Sequence, residues 1–149
     1  MFNGRTALNL DAKGRLAIPT RHRERLNSQC GGRLVVTHHP YDHCLALYPE
    51  PQWQDVARQV ASLSDADKRV RSLKRRFLGQ AVDIDMDGNG RCLIPPELRD
   101  LVGLDKRVML VGQNSRFEIW SETAWQQELQ NFEDLDESAM PESVQELAF

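Results

Sequence analysis

Apolar and polar residues alternate over residues 6–10 and again over 82–86, the period-two pattern of a strand with one buried face. Each stretch runs into a tight-turn signal, Lys13-Gly14 in the first case and Asn89-Gly90 in the second. Residues 15–18 and 91–94 then read as return strands. Pro19 and Pro95-Pro96 stop those strands and open short helices, about 20–27 and 96–102. Gly31-Gly32 and Gly103-Leu104-Asp105 punctuate, and two more strands follow in each half, 33–37 with 44–48 and 107–112 with 116–120. A helix closes each half: Trp53, Val56, Val60 and Leu63 share one face, as do Trp125, Leu129 and Phe132. The first half carries an extra basic helix, 68–76. Ser64 before Asp65-Ala66-Asp67 gives it a capping-box-like start, and Val70, Leu73 and Phe77 mark its buried stripe. Residues 133–149 are acidic and weakly patterned, which predicts a mobile tail with a short helical turn after Pro141.

The symmetry of this pattern is a duplication. Asp11-Ala12-Lys13-Gly14-Arg15-Leu16-Ala17-Ile18-Pro19 aligns with Asp87-Gly88-Asn89-Gly90-Arg91-Cys92-Leu93-Ile94-Pro95 at an offset of 76, with five of nine positions identical. Further matches follow in the same order: Arg33-Leu34-Val35-Val36 with Arg107-Val108-Met109-Leu110, Leu45 to Tyr48 with Phe117 to Trp120, and Trp53 with Trp125. The offset drifts to 72, so the second copy has shorter loops. A repeated β-rich unit with accessory helices is the expected organisation.

Composition narrows the classes. The 149 residues are 40% hydrophobic and 28% charged, enough apolar material for a core and too little charge for global disorder. Apolar runs such as Leu34-Val35-Val36 and Val108 to Val111 fall far short of the roughly 18 residues of a membrane span. Met1-Phe2-Asn3-Gly4-Arg5 has no long apolar stretch of the secretory-signal kind. Cys30, Cys44 and Cys92 read as reduced thiols of a cytosolic protein. The net charge of −3 hides an asymmetry, because residues 1–76 carry +7 and residues 77–149 carry −10, with no Lys or Arg after Arg116. A basic half of this kind can hold a nucleic-acid surface inside an unremarkable total charge.

Two Asp-x-x-x-Arg hairpins, each followed by x-x-Ile-Pro, in a chain starting Met-Phe-Asn-Gly, resemble the bacterial MraZ family over about residues 1–135. The resemblance implies two tandem SpoVT-AbrB-type domains: an α+β, mostly β fold of two swapped-hairpin β units forming a pseudo-twofold barrel with accessory helices. The corresponding segments are residues 5–52 and 81–124, joined by helices over 53–80 and followed by a helix and acidic tail over 125–149. It further implies a cytoplasmic, nucleoid-associated, sequence-specific regulator of the division and cell-wall gene cluster. Such a regulator binds repeated G-rich promoter boxes on double-stranded DNA as a ring-like homo-oligomer, with no cofactor. The competing reading is a protein-interaction or antitoxin-like module of the same fold, with residues 133–149 as its arm.

Within the first hairpin, Arg15 is the candidate base reader, since a guanidinium forks onto guanine O6 and N7. Arg5, Lys13, Arg21 and Arg23 surround it as candidate DNA contacts, opposed only by Asp11 and Glu24. Asp11 and Gly14 support the tip. In the second hairpin Asp87 and Gly90 take the same supporting places. Arg91 carries the motif over and joins the candidate set, but Asp83, Asp85 and Asp87 around it favour an architectural role. The basic helix 68–76 reads first as a solvated face, and second as a contact for phosphate or for an acidic neighbouring subunit.

Other chemistries find little support. Asp83-Ile84-Asp85-Met86-Asp87 mimics the start of an EF-hand loop, yet the twelfth position is Ile94 and the flanks are strands. His38, His39, His43 and Cys44 match no standard zinc spacing, and the histidines are expected as exposed loop residues around a turn at Pro40-Tyr41-Asp42. No motif assembles a nucleophile, base or metal set, so neither an enzyme nor a metal protein is expected.

Overall fold

A computed structural model describes Met1–Phe149. Eight strands and six α-helices give an α+β molecule built mainly on sheet. In chain order the elements are β1 (Arg5–Asn9), β2 (Arg15–Ala17), α1 (Thr20–Cys30), β3 (Arg33–His38), β4 (Leu45–Pro49), α2 (Glu50–Ala61) and α3 (Lys68–Phe77). The second half continues with β5 (Val82–Asp85), β6 (Arg91–Leu93), α4 (Pro96–Leu101), β7 (Arg107–Gly112), β8 (Phe117–Ser121), α5 (Glu122–Glu133) and α6 (Glu142–Gln145).

The two halves share one sheet. Six antiparallel strands lie in the order β1-β7-β8-β4-β3-β5, so the first strand of each half pairs with the third strand of the other. Exchanging the halves reverses this order into itself. The expected barrel does not close, because β1 and β5 are the two edges of the sheet. The return strands β2 and β6 do not run back along β1 and β5 either; they pair with each other as a separate two-stranded ribbon. Burial explains the choice. Leu16, Ile18, Cys92 and Ile94 are all buried, and pairing β2 with β6 over the core lets all four face inward.

That core is one cluster of 20 buried residues drawn from both halves and includes Leu26, Leu47, Leu98 and Phe117. Alternation along the central strands sends every second side chain to the opposite face. There Ala46, Tyr48 and Phe77 pack with Trp53 and Val56 beneath α2 and α3, and Cys44, Val111 and Trp120 pack with Trp125 beneath α5.

Several details depart from the sequence reading. Leu63 lies past the end of α2 and is exposed, and Leu129 and Phe132 on α5 are exposed as well, so Trp125 is the main anchor of that helix. Asp67, not Ser64, caps α3: its side chain accepts from the Arg69 backbone N–H at 2.8 Å. His38 and His39 are buried, as is Cys44; of that group only His43 is exposed. The acidic tail contains a 3-10 turn at Glu137–Ala139 and α6 directly after Pro141. No helix is long and apolar enough to cross a membrane.

Candidate nucleic-acid interface

The ribbon begins with its turns. Gly14 and Gly90 have φ of 86° and 75°, the left-handed region that a residue without Cβ enters freely. In the first turn, Gly14 N–H donates to the Asp11 carbonyl at 3.0 Å, and Asp11 N–H donates to the Arg15 carbonyl at 3.1 Å. The second turn repeats both bonds between Gly90, Asp87 and Arg91, at 3.0 and 2.8 Å. The aspartate side chains finish the turns. Asp11 Oδ1 accepts from the backbone N–H of Lys13 and Arg15 at 3.0 and 2.8 Å, and Asp87 Oδ1 accepts from Asn89 and Arg91 at 2.9 and 2.9 Å. The spacing Asp-x-x-x-Arg is therefore the spacing at which one carboxylate can reach both orphan donors of the turn. The backbone N–H of Arg15, joined by its side chain, holds the Asp11 carboxyl down at about 2. The Asp87 carboxyl is lowered too, first by the Arg91 backbone N–H.

The arginines are placed by register. Arg15 lies opposite Leu93, Leu16 opposite Cys92, and Ala17 opposite Arg91. Opposed residues share a face. Leu16 and Cys92 point into the core, so Arg15, Ala17, Arg91 and Leu93 form the outward face. Arg15 and Arg91 are then diagonal neighbours, with backbones about 7–8 Å apart. In the sequence they belong to two separate tips; the fold puts them on one surface. Leu93, half exposed between them, is a member of that face which sequence inspection missed. A register linking the two repeats would have been needed to find it.

The two guanidinium groups are held differently. Arg15 Nε donates to Asp11 Oδ2 at 2.6 Å, a charge-assisted bond that fixes the side chain and leaves both terminal nitrogens to point elsewhere. Arg91 Nε stands 3.9 Å from Asp87 Oδ2 and has no hydrogen-bond partner.

The remaining candidates separate into groups. Lys13 is exposed in the first turn itself. Arg5 sits at the opposite end of β1, where Arg21 Nη2 donates to Thr6 Oγ1 at 2.7 Å; the fold does not bring this pair to the tip. Arg23 lies against the second turn, not the first, and its Nε donates to the Ile18 carbonyl at 2.6 Å. In α3, Arg71 and Lys74 donate to carbonyls of the preceding loop, including Asp65 and Leu63, and Arg76 ties to the His39 and Asp42 carbonyls. Its basic face is largely stitched to its own surroundings. Asp83 and Asp85 lie exposed on alternate positions of β5.

The other polar cluster is His39, Cys44 and Glu118, whose donor atoms lie within 4.8 Å of one another. His39 Nδ1 accepts from the backbone N–H of Tyr41 and Asp42 at 3.1 and 2.9 Å, which leaves the ring proton on Nε2, facing Glu118 at 3.2 Å. Glu118 also accepts from Trp120 Nε1 at 3.0 Å. Burial would raise the Glu118 carboxyl, but these hydrogen bonds outweigh it and hold it low. Burial raises the Cys44 thiol, helped by Glu118. The arrangement is a hydrogen-bonded clasp for the turn after β3: with its proton on Nε2, the imidazole offers no free lone pair to an ion.

Comparison with known proteins places this chain in a family. The family described as "MraZ protein, putative antitoxin-like" matches the chain twice, over residues 1–76 and 77–146. A protein of Alcanivorax borkumensis named "Transcriptional regulator MraZ" is 56% identical over 149 residues, covering 100% of both chains. Proteins of the same name from Thioalkalivibrio sulfidiphilus and Methylobacillus flagellatus are 47% and 45% identical and cover 98% and 97% of this chain and 97% of their own lengths.

Proposed function

The chain belongs to the MraZ family, and we propose that it is a sequence-specific DNA-binding transcriptional regulator that reads DNA with the ribbon β2–β6. One observation carries the reading: Arg15 and Arg91 share the exposed face of a two-stranded ribbon whose other face is anchored in the core. A β-ribbon fits the roughly 12 Å major groove, and a guanidinium gives about 1–3 kcal/mol of discrimination at a guanine. The Asp11 bond orients Arg15 before DNA arrives, which lowers the ordering cost of a base contact. Lys13 beside it supplies phosphate neutralisation, and Leu93 offers an apolar surface to a thymine methyl. Asp11, Gly14, Asp87 and Gly90 shape the turns, and Arg5 and Arg21 form a second, peripheral contact group.

The finer parts of the proposal rest on the family resemblance. They are the swapped-hairpin relation of the two units, G-rich promoter boxes of the division and cell-wall cluster as target, nucleoid association, and a ring-like homo-oligomer. Several identical ribbons on one assembly would bind several boxes with far greater strength than one, provided the spacing allows simultaneous engagement.

The test is a gel-shift titration on the promoter upstream of the protein's own gene, at two salt concentrations and against scrambled DNA. Wild type is expected to prefer the promoter, to weaken steeply with salt, and to bind several boxes better than one; Arg15→Ala is expected to lose the preference at unchanged assembly size. Equal binding of promoter and scrambled DNA by the wild type overturns the reading.

A further inference from the structure

We infer that Arg99 and Arg23 are reciprocal positioning residues, each lent by one half of the repeat to hold the arginine-bearing turn of the other. The inference deepens, and rests on, the reading of the ribbon as a DNA-reading surface. Arg99 on α4 donates from Nε to the Ile94 carbonyl at 3.0 Å, and its guanidinium lies against Gly14: a Cβ there would stand 2.5 Å from Cζ. Arg23 on α1 mirrors it, donating to the Ile18 carbonyl at 2.6 Å and lying against Gly90, where a Cβ would overlap Nε. The same two isoleucines grip the turns from the backbone. Ile94 N–H donates to the Gly14 carbonyl at 3.1 Å, and Ile18 N–H donates to the Gly90 carbonyl at 2.8 Å. Each turn is thus closed in a cycle of turn carbonyl, isoleucine peptide, guanidinium and glycine, with the isoleucine and arginine supplied by the other half.

The sequence singles out this pair. Across the seven helix-opening positions, Thr20 to Leu26 against Pro96 to Val102, Arg23 and Arg99 are the only identity. Arg21 faces Glu97, His22 faces Leu98 and Arg25 faces Leu101, so general basicity was not kept while this guanidinium was. Gly14 and Gly90 immediately precede Arg15 and Arg91, so the clamp sets the height and tilt at which each reading arginine leaves the ribbon. A bidentate base contact needs placement within about 0.5 Å, which a three-residue strand on its own does not guarantee.

The experiment uses the full-length chain as wild type, Arg99→Ala, Arg99→Lys, Gly14→Ala and Gly14→Ala/Arg99→Ala, with Arg99→Gln replacing the alanine if that variant does not fold. Denaturant unfolding reads the clamp directly. Gly14→Ala is expected to lower the folding equilibrium constant at least about threefold less in the Arg99→Ala background, where the guanidinium no longer has to leave; the remaining cost is left-handed backbone strain. Additive effects overturn the clamp. DNA titration reads the positioning role. Arg99→Ala is expected to lose about tenfold in preference for promoter over scrambled DNA with its salt slope unchanged, and Arg99→Lys, which keeps the charge but lacks the planar fork, does not restore it. A slope reduced by about 0.9 marks Arg99 as a phosphate contact, and full rescue by Lys marks a charge effect; either result overturns positioning. If the wild type shows no promoter preference, the DNA reading fails and the positioning role falls with it, while the unfolding cycle still decides whether the clamp exists.

Discussion

The two Asp-x-x-x-Arg turns of this chain have the same backbone and different side-chain settings. Both close with a left-handed glycine, a carboxylate bridging two backbone N–H groups, and an arginine from the opposite half lying against the glycine. They part at the guanidinium. Arg15 is bound to Asp11 at 2.6 Å, while Arg91 stands 3.9 Å from Asp87 with its Nε unpartnered. They part again in charge: Lys13 in the first turn has Asn89 as its counterpart, and the exposed Asp83 and Asp85 lead into the second. Duplication kept the parts that build a turn and relaxed the parts that aim an arginine. Because the ribbon joins the turns, the second braces the first and brings Arg91 to the same face as Arg15.

Damage to what the turns share should have the largest effect. Leu16 is fully buried in the ribbon that joins them, opposite Cys92, and Leu16→Ala is expected to cost about 2–5 kcal/mol in urea unfolding, with loss of promoter preference in the surviving folded fraction. A small cost would mean that the ribbon is not anchored to the core as described. Next in size, Asp11→Ala is expected to reduce promoter selectivity roughly tenfold and Asp87→Ala by less than about threefold, since only Asp11 orients its arginine. Competition titrations of the two variants against scrambled DNA check this; equal losses would erase the distinction between the turns.

Much of this was legible in the chain. The duplicated nonapeptide located both turns, and the alternation of Leu8-Asn9-Leu10 and Ile84-Asp85-Met86 gave the strands, since local backbone demands are written in local residues. The partners of β2 and β6 were not legible. A three-residue strand pairs wherever its buried side chains find the core, and Leu16 and Cys92 reveal their common destination only in three dimensions. For the same reason His39 read as an exposed loop residue: its partner Glu118 comes from the other half, 79 positions away. Arg99 was recoverable, because the offset of 76 that aligns Arg15 with Arg91 also aligns Arg23 with Arg99.

Smaller effects are expected at Asn89 and His22. Asn89→Lys makes the second turn resemble the first, and it is expected to strengthen DNA binding about two- to threefold at low salt while steepening the salt dependence by less than one ion. No change in slope would mean that the second turn lies away from phosphate. His22 and Leu98 occupy equivalent buried positions, and burial followed by the nearby Arg21 lowers the His22 imidazole below its usual value. The folded state then binds this proton less readily than the unfolded chain. Its stability is steady above about pH 6.5 and declines as the pH falls through 6.5 toward the lowered value. His22→Leu is expected to flatten part of that decline between about pH 7 and 5, leaving the share of His38, which burial lowers in the same direction. Unfolding midpoints measured across that range check it; an unchanged slope would mean that His22 does not contribute to the decline.

The most direct measurement compares Arg15→Ala with Arg91→Ala in promoter-against-scrambled DNA titrations at matched assembly size and folded fraction. Arg15→Ala is expected to lose at least about tenfold in selectivity and Arg91→Ala a smaller, measurable amount, because Asp11 aims one arginine while the other only shares its face. Equal losses, or a larger loss at Arg91, would contradict this.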